Sequence, residues 1–315
     1  MHLSRPRLRV TFGIAALAAS LALPTLADPT TDSTATSAMT PAPTPADPPA
    51  GNAISDYFAH WFDRVRQAQA SQPHWMTPLV TVTPRLEQEF RTDFYIESLG
   101  NGASVTSFSN GKGLELIPTT TNEVIFNVPT YTERYDVKPA SGWNDWPFIL
   151  VKQRLLSANE ENGNYIVTAF LSAQAPIGIK AFTNHAWVIT PTIAGGKGWG
   201  DFDVQATVGV AIPTAYESTI GTSVATNVAF QYHFLKYFWP EFEVNWTWWA
   251  DGLRGGKNQV FLTPGIIFGR FNLVGRVNAI VGFGYQSAVS PNLTKSPALT
   301  PTYNHAWVVT SRITF

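Results

Sequence analysis

The sequence predicts an all-β protein, a transmembrane antiparallel up-and-down β-barrel of about 12 strands with a short N-terminal amphipathic helix. Three observations carry that prediction. Segment after segment alternates apolar and polar residues, as strands do when their two faces meet different surroundings. The connections between segments are short and long by turns, as in a barrel with tight turns at one end and larger loops at the other. The polar rows are also heavily charged, which a polar barrel interior can hold and a soluble core cannot.

Composition narrows the class. Of 315 residues 14% are charged and 13% aromatic, the first below and the second above an ordinary soluble domain. A formal charge of -1 gives no reason to expect a nucleic-acid partner. The absence of cysteine excludes disulfides and thiolate metal sites.

Arg5, Arg7 and Arg9 precede an apolar run over 10–23, then Pro24 and Thr25-Leu26-Ala27. This reads as a signal peptide over 1–27, cleaved after Ala27, its apolar run too short to span a bilayer comfortably. Residues 28–52 are built from Pro, Thr, Ala, Ser and Asp and read as a disordered linker. Over 53–72 the period becomes helical: Ile54, Tyr57, Phe58, Trp61, Phe62, Val65 and Ala68 recur with Asp56, Asp63, Arg64 and Arg66 between them. Such an amphipathic helix either plugs the lumen or lies at the periplasmic interface. The barrel is assigned to 73–315.

Twelve strands are placed at 84–97, 104–117, 122–132, 145–157, 164–176, 184–194, 201–213, 223–235, 239–250, 257–269, 272–287 and 303–315. In the first, Leu86, Phe90, Phe94 and Ile96 oppose Glu87, Glu89, Arg91 and Asp93. In the seventh, Val204, Ala206 and Val208 oppose Asp203, Gln205 and Thr207, and in the ninth Phe242, Val244 and Trp246 oppose Glu241, Glu243 and Asn245. Turns are short near 271, 236–240, 195–198, 159–162 and 118–121, and the intervening loops longer. Gly111 and Gly113 interrupt the second strand and make it the weakest. Trp187 and Trp307 fit one interfacial girdle, and Trp199, Tyr237, Phe238 and Trp239 the other.

In the last strand Trp307, Val309, Ser311, Ile313 and Phe315 oppose Val308, Thr310, Arg312 and Thr314. It resembles the C-terminal strand of bacterial outer-membrane barrels. That resemblance implies an outer-membrane location, Phe315 as assembly signal, the barrel-assembly machinery as partner and outer-membrane lipid around the wall.

The lumen-lining candidates are Glu87, Glu89, Arg91, Asp93, Lys152, Arg154, Asp203, Glu241, Glu243, Arg276 and Arg312, with Glu123 beside them. They either pair with one another to fill the interior or orient a passing solute. Enzymatic patterns are missing from the sequence: there is no Gly-x-Ser-x-Gly and no His-Glu-x-x-His, and Gly195-Gly196-Lys197-Gly198 reads as a turn. A hydrolytic pair of His233 with Asp93 or Glu89 is the one enzymatic alternative. No catalytic residue, cofactor or metal is expected.

The run from Gln72 through Pro73-His74-Trp75-Met76-Thr77-Pro78 to Phe90, the run Gly111-Lys112-Gly113-Leu114-Glu115-Leu116-Ile117-Pro118, and Leu155 to Tyr165 resemble the outer-membrane transporter-like β-barrel family named for the MetA pathway of phenol degradation. The resemblance implies an outer-membrane barrel passing small hydrophobic or aromatic compounds. It departs from the family pattern at Asn144-Asp145-Trp146-Pro147 and Ala175-Pro176-Ile177-Gly178, and no site residue carries over. The expected function is therefore a monomeric, passive channel for small apolar or aromatic solutes. The alternatives are an adhesive barrel working through its external loops and an outer-membrane lipid hydrolase.

Overall fold

The computed structural model describes residues 52–136 and 138–315, so the expected signal peptide over 1–27 and the linker up to Gly51 lie outside the described residues. Two short helices come first, α1 (Ala53–Ala59) and α2 (Trp61–Ala70). Asn52 caps α1 by accepting from the Ile54 backbone, and the helical run expected over 53–72 breaks at His60. Fifteen strand segments follow: β1 (Glu89–Gly100), β2 (Ala103–Ser109), β3 (Gly113–Leu116), β4 (Asn122–Asn127), β5 (Tyr131–Tyr135), β6 (Ala140–Trp143), β7 (Trp146–Ala158), β8 (Tyr165–Ala175), β9 (Val188–Trp199), β10 (Phe202–Pro213), β11 (Ser223–Tyr232), β12 (Phe238–Trp249), β13 (Asn258–Val274), β14 (Val277–Ser290) and β15 (His305–Thr314). A one-turn helix, α3 (Glu217–Ile220), lies in the loop after β10.

Pairing runs in sequence order and closes where β15 meets β1 antiparallel, from Glu89 opposite Thr314 to Ser98 opposite His305. Three staves are interrupted, as β2 with β3, β4 with β5 and β6 with β7, so the ring is a closed 12-strand barrel. Closure pairs both edges of every strand but the short β6, whose outer side receives one backbone bond, from Ile179 N to Trp143 O at 2.9 Å, and a closed ring is the condition for putting a sheet in lipid.

Burial is inverted relative to a water-soluble sheet. On β1, Glu89, Arg91 and Asp93 are buried while Phe90 and Ile96 each expose 43% of their surface. Likewise Asp203, Gln205 and Thr207 are buried on β10 and Val208 is exposed, and Glu241, Glu243 and Asn245 are buried on β12 beside exposed Phe242 and Trp246. The polar rows face inward and the apolar rows form the outer wall of a transmembrane barrel.

Several boundaries differ from the sequence expectation. The first stave begins at Glu89 rather than at 84, because the chain before it turns into the barrel. Leu86 is consequently not on the outer wall: it packs with Val65, Ala68 and Ile117 beneath the barrel. The glycines of 195–198 lie within β9, and the turn is at Gly200. β13 continues to Val274, so Arg276 falls in a hairpin turn and is exposed instead of lining the lumen. Trp239 is buried rather than at the outer girdle, while Trp187, Trp199 and Trp307 face outward.

A nitroxide at Val208 in a lipid bilayer should collide more often with oxygen than with a water-soluble nickel chelate, and one at Thr207 should show less oxygen contact. The reverse order would mean that the apolar rows do not face lipid.

Candidate functional site

The interior is occupied by the chain itself. Residues 71–88 cannot join the wall as a strand, because Pro73, Pro78 and Pro84 lack the N–H that a ladder needs. They form a loop that rises into the lumen and returns to β1. Its two legs are tied at the base: Gln72 Nε2 donates to Leu86 O at 2.8 Å, Leu86 N donates to Gln72 Oε1 at 3.0 Å, and Arg85 donates to Pro73 O and Trp75 O. Loops with adjoining ends and buried side chains behave as compact units.

Two apolar side chains anchor it. Trp75 lies over β9, where a Cβ on Gly196 would come within 2.5 Å of its ring, and its indole Nε1 donates to Asn164 Oδ1 at 2.8 Å. Leu79 lies against Gly265, Gly282 and Gly284, and a Cβ on Gly282 would meet it at 2.7 Å. Glycine in these strands therefore makes room for the loop. Met76 and Leu79 continue into an apolar cluster with Tyr95, Trp239, Ile267, Ile280, Ala306 and Val308.

The charged rows hold the loop by its backbone. Glu243, midway up β12, accepts from Val80 N and Thr81 N, both at 2.7 Å, and from the Thr81 hydroxyl. Glu241 accepts from Leu79 N at 3.0 Å and Gln231 Nε2 at 2.6 Å. Arg312 donates to Thr77 O at 2.6 Å and Pro78 O at 2.8 Å, and Arg91 donates to Leu79 O at 2.6 Å. Arg91 also pairs with Asp93 at 2.8 Å, and Asp93 accepts from Thr310 Oγ1 at 2.6 Å. On the returning leg Lys152 donates to Arg85 O at 3.1 Å and pairs with Glu123 at 2.9 Å. Glu87, which belongs to the loop and not to a strand, pairs with Arg85 at 2.8 Å. Asp203 is buried and accepts from Gln205 Nε2 at 3.0 Å, while the same nitrogen donates to Met76 O. Glu89 is buried with no hydrogen-bond partner for either carboxylate oxygen. Thus most of the sequence-picked charges are brought together, but around a loop. What sequence reasoning missed is that loop, whose one local signal was three prolines spaced through an otherwise strand-like run.

The remaining candidates sit at the end of the barrel where β1 begins and β15 ends. Arg154 donates to Ala68 O at 2.7 Å and Thr120 O at 2.6 Å, placing a cation at the C-terminal turn of α2, where exposed carbonyls favour one. The Arg276 guanidinium lies 3.6 Å from the Phe62 ring centroid. Phe315 follows β15, donates its backbone N–H to Gln88 O at 3.1 Å and lines a groove with Phe62 and Val65. The helix pair therefore lies across this end and does not enter the lumen. At the foot of the loop Glu160 accepts from His74 N at 2.6 Å and contacts His74 Nδ1 at 2.9 Å. Burial would raise the Glu160 carboxyl, but the His74 backbone N–H and ring outweigh it and hold it below its ordinary value.

The hydrolytic pair is not assembled. His233 stacks on Trp239 with ring centroids 4.3 Å apart and its Nε2 has no partner, while Asp93 is engaged by Arg91 and Thr310. No group of three or more metal-binding side chains occurs among the described residues.

Space remains on one side of the loop, where the three staves are broken. A cavity of about 150 Å³ lies between the loop residues Thr77, Val82 and Thr83 and the wall residues Lys112, Glu115 and Leu150. A wider vestibule of about 430 Å³, lined by Thr130, Asn144, Asp145 and Asn184, lies beyond it, and both spaces are bounded by Gly111 and Pro147.

No family model and no curated protein matches the chain. Among solved structures it is similar to the NanC porin, with 8% identity, a TM-score of 0.47, and 72% of this chain and 98% of that one covered. An outer membrane channel from Pseudomonas putida F1 gives 12% identity and a TM-score of 0.46, covering 73% and 96% of the two chains. Salmonella typhi OmpF, in complex with daunomycin, gives 10% identity and a TM-score of 0.36, covering 72% and 96%. These likenesses are weak, and the barrel assignment rests on strand pairing and burial.

Glu243→Ala strips the loop tip of its acceptors. Hydrogen bonds to a charged group contribute roughly 1.5–3 kcal/mol each. The loop tip should become accessible to a protease that leaves the unaltered barrel intact, and an unchanged cleavage rate would show that Glu243 does not retain it. The Glu160 contact has a defined pH dependence. With the folded-state value depressed, its contribution is present above pH 4.5 and is lost as the pH falls through the lowered value. Acid should therefore loosen the loop foot in the unaltered protein, and Glu160→Gln should remove that acid step in the same protease assay.

Proposed function

We propose that the chain is an outer-membrane channel for small solutes whose passage is governed by the loop over 71–88. One observation supports this above the others. The wall holds the loop through side chains that bind its backbone, while a cavity and a vestibule remain open beside it. A barrel serving only as a scaffold needs no such space. The likeness to the barrel family named for the MetA pathway of phenol degradation adds small hydrophobic or aromatic compounds as the solute class. In this reading the N-terminal segment directs export, outer-membrane lipid surrounds the wall, the terminal strand with Phe315 engages the assembly machinery, and the helix pair lies on the periplasmic side.

The adhesive alternative is less well supported. The long connection after β14 folds back over the barrel mouth instead of projecting. Thr302 N donates to Gln259 Oε1 at 3.1 Å, Tyr303 stacks on Phe261 at 4.5 Å, and Arg254 Nε donates to Leu299 O at 2.8 Å.

Liposomes carrying the full-length barrel should take up small solutes faster than empty ones, and Glu243→Ala should raise that rate by roughly 10-fold or more if about 1.4 kcal/mol of loop retention is lost. Uptake equal to empty liposomes for both proteins would remove the channel reading.

A further inference from the structure

The cavity beside the loop carries two charged side chains that no close partner in the fold engages. Lys112 stands in the break between β2 and β3, and Glu115, buried, is on β3. Among the described residues neither side chain makes an ion pair or a side-chain hydrogen bond. The other two cations on this cavity are already neutralised, Arg91 by Asp93 at 2.8 Å and Lys152 by Glu123 at 2.9 Å. On the cavity lining this leaves one ammonium and one carboxylate, with Val82, Ile125 and Leu150 as apolar wall, while the unpartnered Glu89 stands opposite Glu115 in the ladder but outside the lining.

The way in is also shaped. Gly111, shared by the cavity and the vestibule, has φ +65°, and a Cβ there would come 2.6 Å from Pro147 Cγ. Glycine is thus needed both for the backbone conformation and for the opening beside the proline.

We propose that this cavity binds a small amino acid with an apolar side chain, its carboxylate on Lys112, its ammonium on Glu115 and its side chain on the apolar wall. A simple carboxylic acid would answer Lys112 and meet Glu115 with like charge, and a simple amine would do the opposite. A zwitterion satisfies both and adds no net charge to an interior where unpaired charge is costly. Delivery of the ligand rests on the channel reading, but binding does not.

The test uses the folded full-length barrel in detergent, equilibrium dialysis, and three probes of one shape: L-leucine, isocaproate, which lacks the amino group, and isoamylamine, which lacks the carboxylate. Leucine should bind at least about tenfold more tightly than either of the others. Lys112→Met should weaken leucine and improve isoamylamine relative to it, and Glu115→Gln should do the same for isocaproate. No leucine binding, or equal binding of the three probes to the unaltered protein, overturns the proposal, and that comparison needs no variant to fold. Leucine binding without uptake of any small solute above that of empty liposomes keeps the site and removes the channel reading. Solute flux without leucine selectivity keeps the channel and removes the site.

Discussion

Charge withdrawn from water inside a narrow barrel has to be answered by something, and in this protein much of the answer is peptide backbone. Arg312 is matched by two carbonyls and Glu243 by two amides, all from the inserted loop. The exchange is mutual. The loop has no regular structure of its own, and irregular backbone at membrane depth is tolerated only where protein or water satisfies its polar groups. The wall charges supply that satisfaction, the loop supplies theirs, and the glycines of β9, β13 and β14 bring the two close enough to bond.

The barrel was largely legible in the sequence because the signal is local. Whether Glu241 and Glu243 share a face follows from their spacing, and the alternation along β10 and β12 needs no knowledge of a neighbour. The loop was not legible for the opposite reason. Thr81 and Glu243 are 162 positions apart, and Thr77 and Arg312 are 235 apart. Inwardness can be read from a strand, but the partner of an inward charge cannot. Leu86 shows how this misleads: it fits an alternating pattern with Phe90, yet packs under the barrel with Val65 and Ala68. Arg276 was misplaced because the end of β13 cannot be read from its residues, with Phe271, Leu273 and Val274 as apolar as any wall position.

The weakest part of the sequence pattern is the part that holds open space. Gly111 and Gly113 blurred the second strand, and the structure breaks that stave and the two that follow it. Side-chain and backbone bonds span the gap, with Trp146 Nε1 donating to Asn127 O at 2.6 Å and Val128 N to Lys112 O at 2.8 Å. Places where local rules fail in an otherwise consistent sequence are where function tends to concentrate.

The junction of β1 with β15 has a consequence for how such a molecule comes together. The loop runs directly into β1, and its grips come from both sides of that junction: Arg91 on the first strand, Arg312 on the last. Until the final strand has zipped onto the first, Thr77 and Pro78 lack the guanidinium that donates to their carbonyls. Filling the centre and sewing the cylinder shut are therefore coupled, and a half-sewn intermediate lacks part of what holds its own contents.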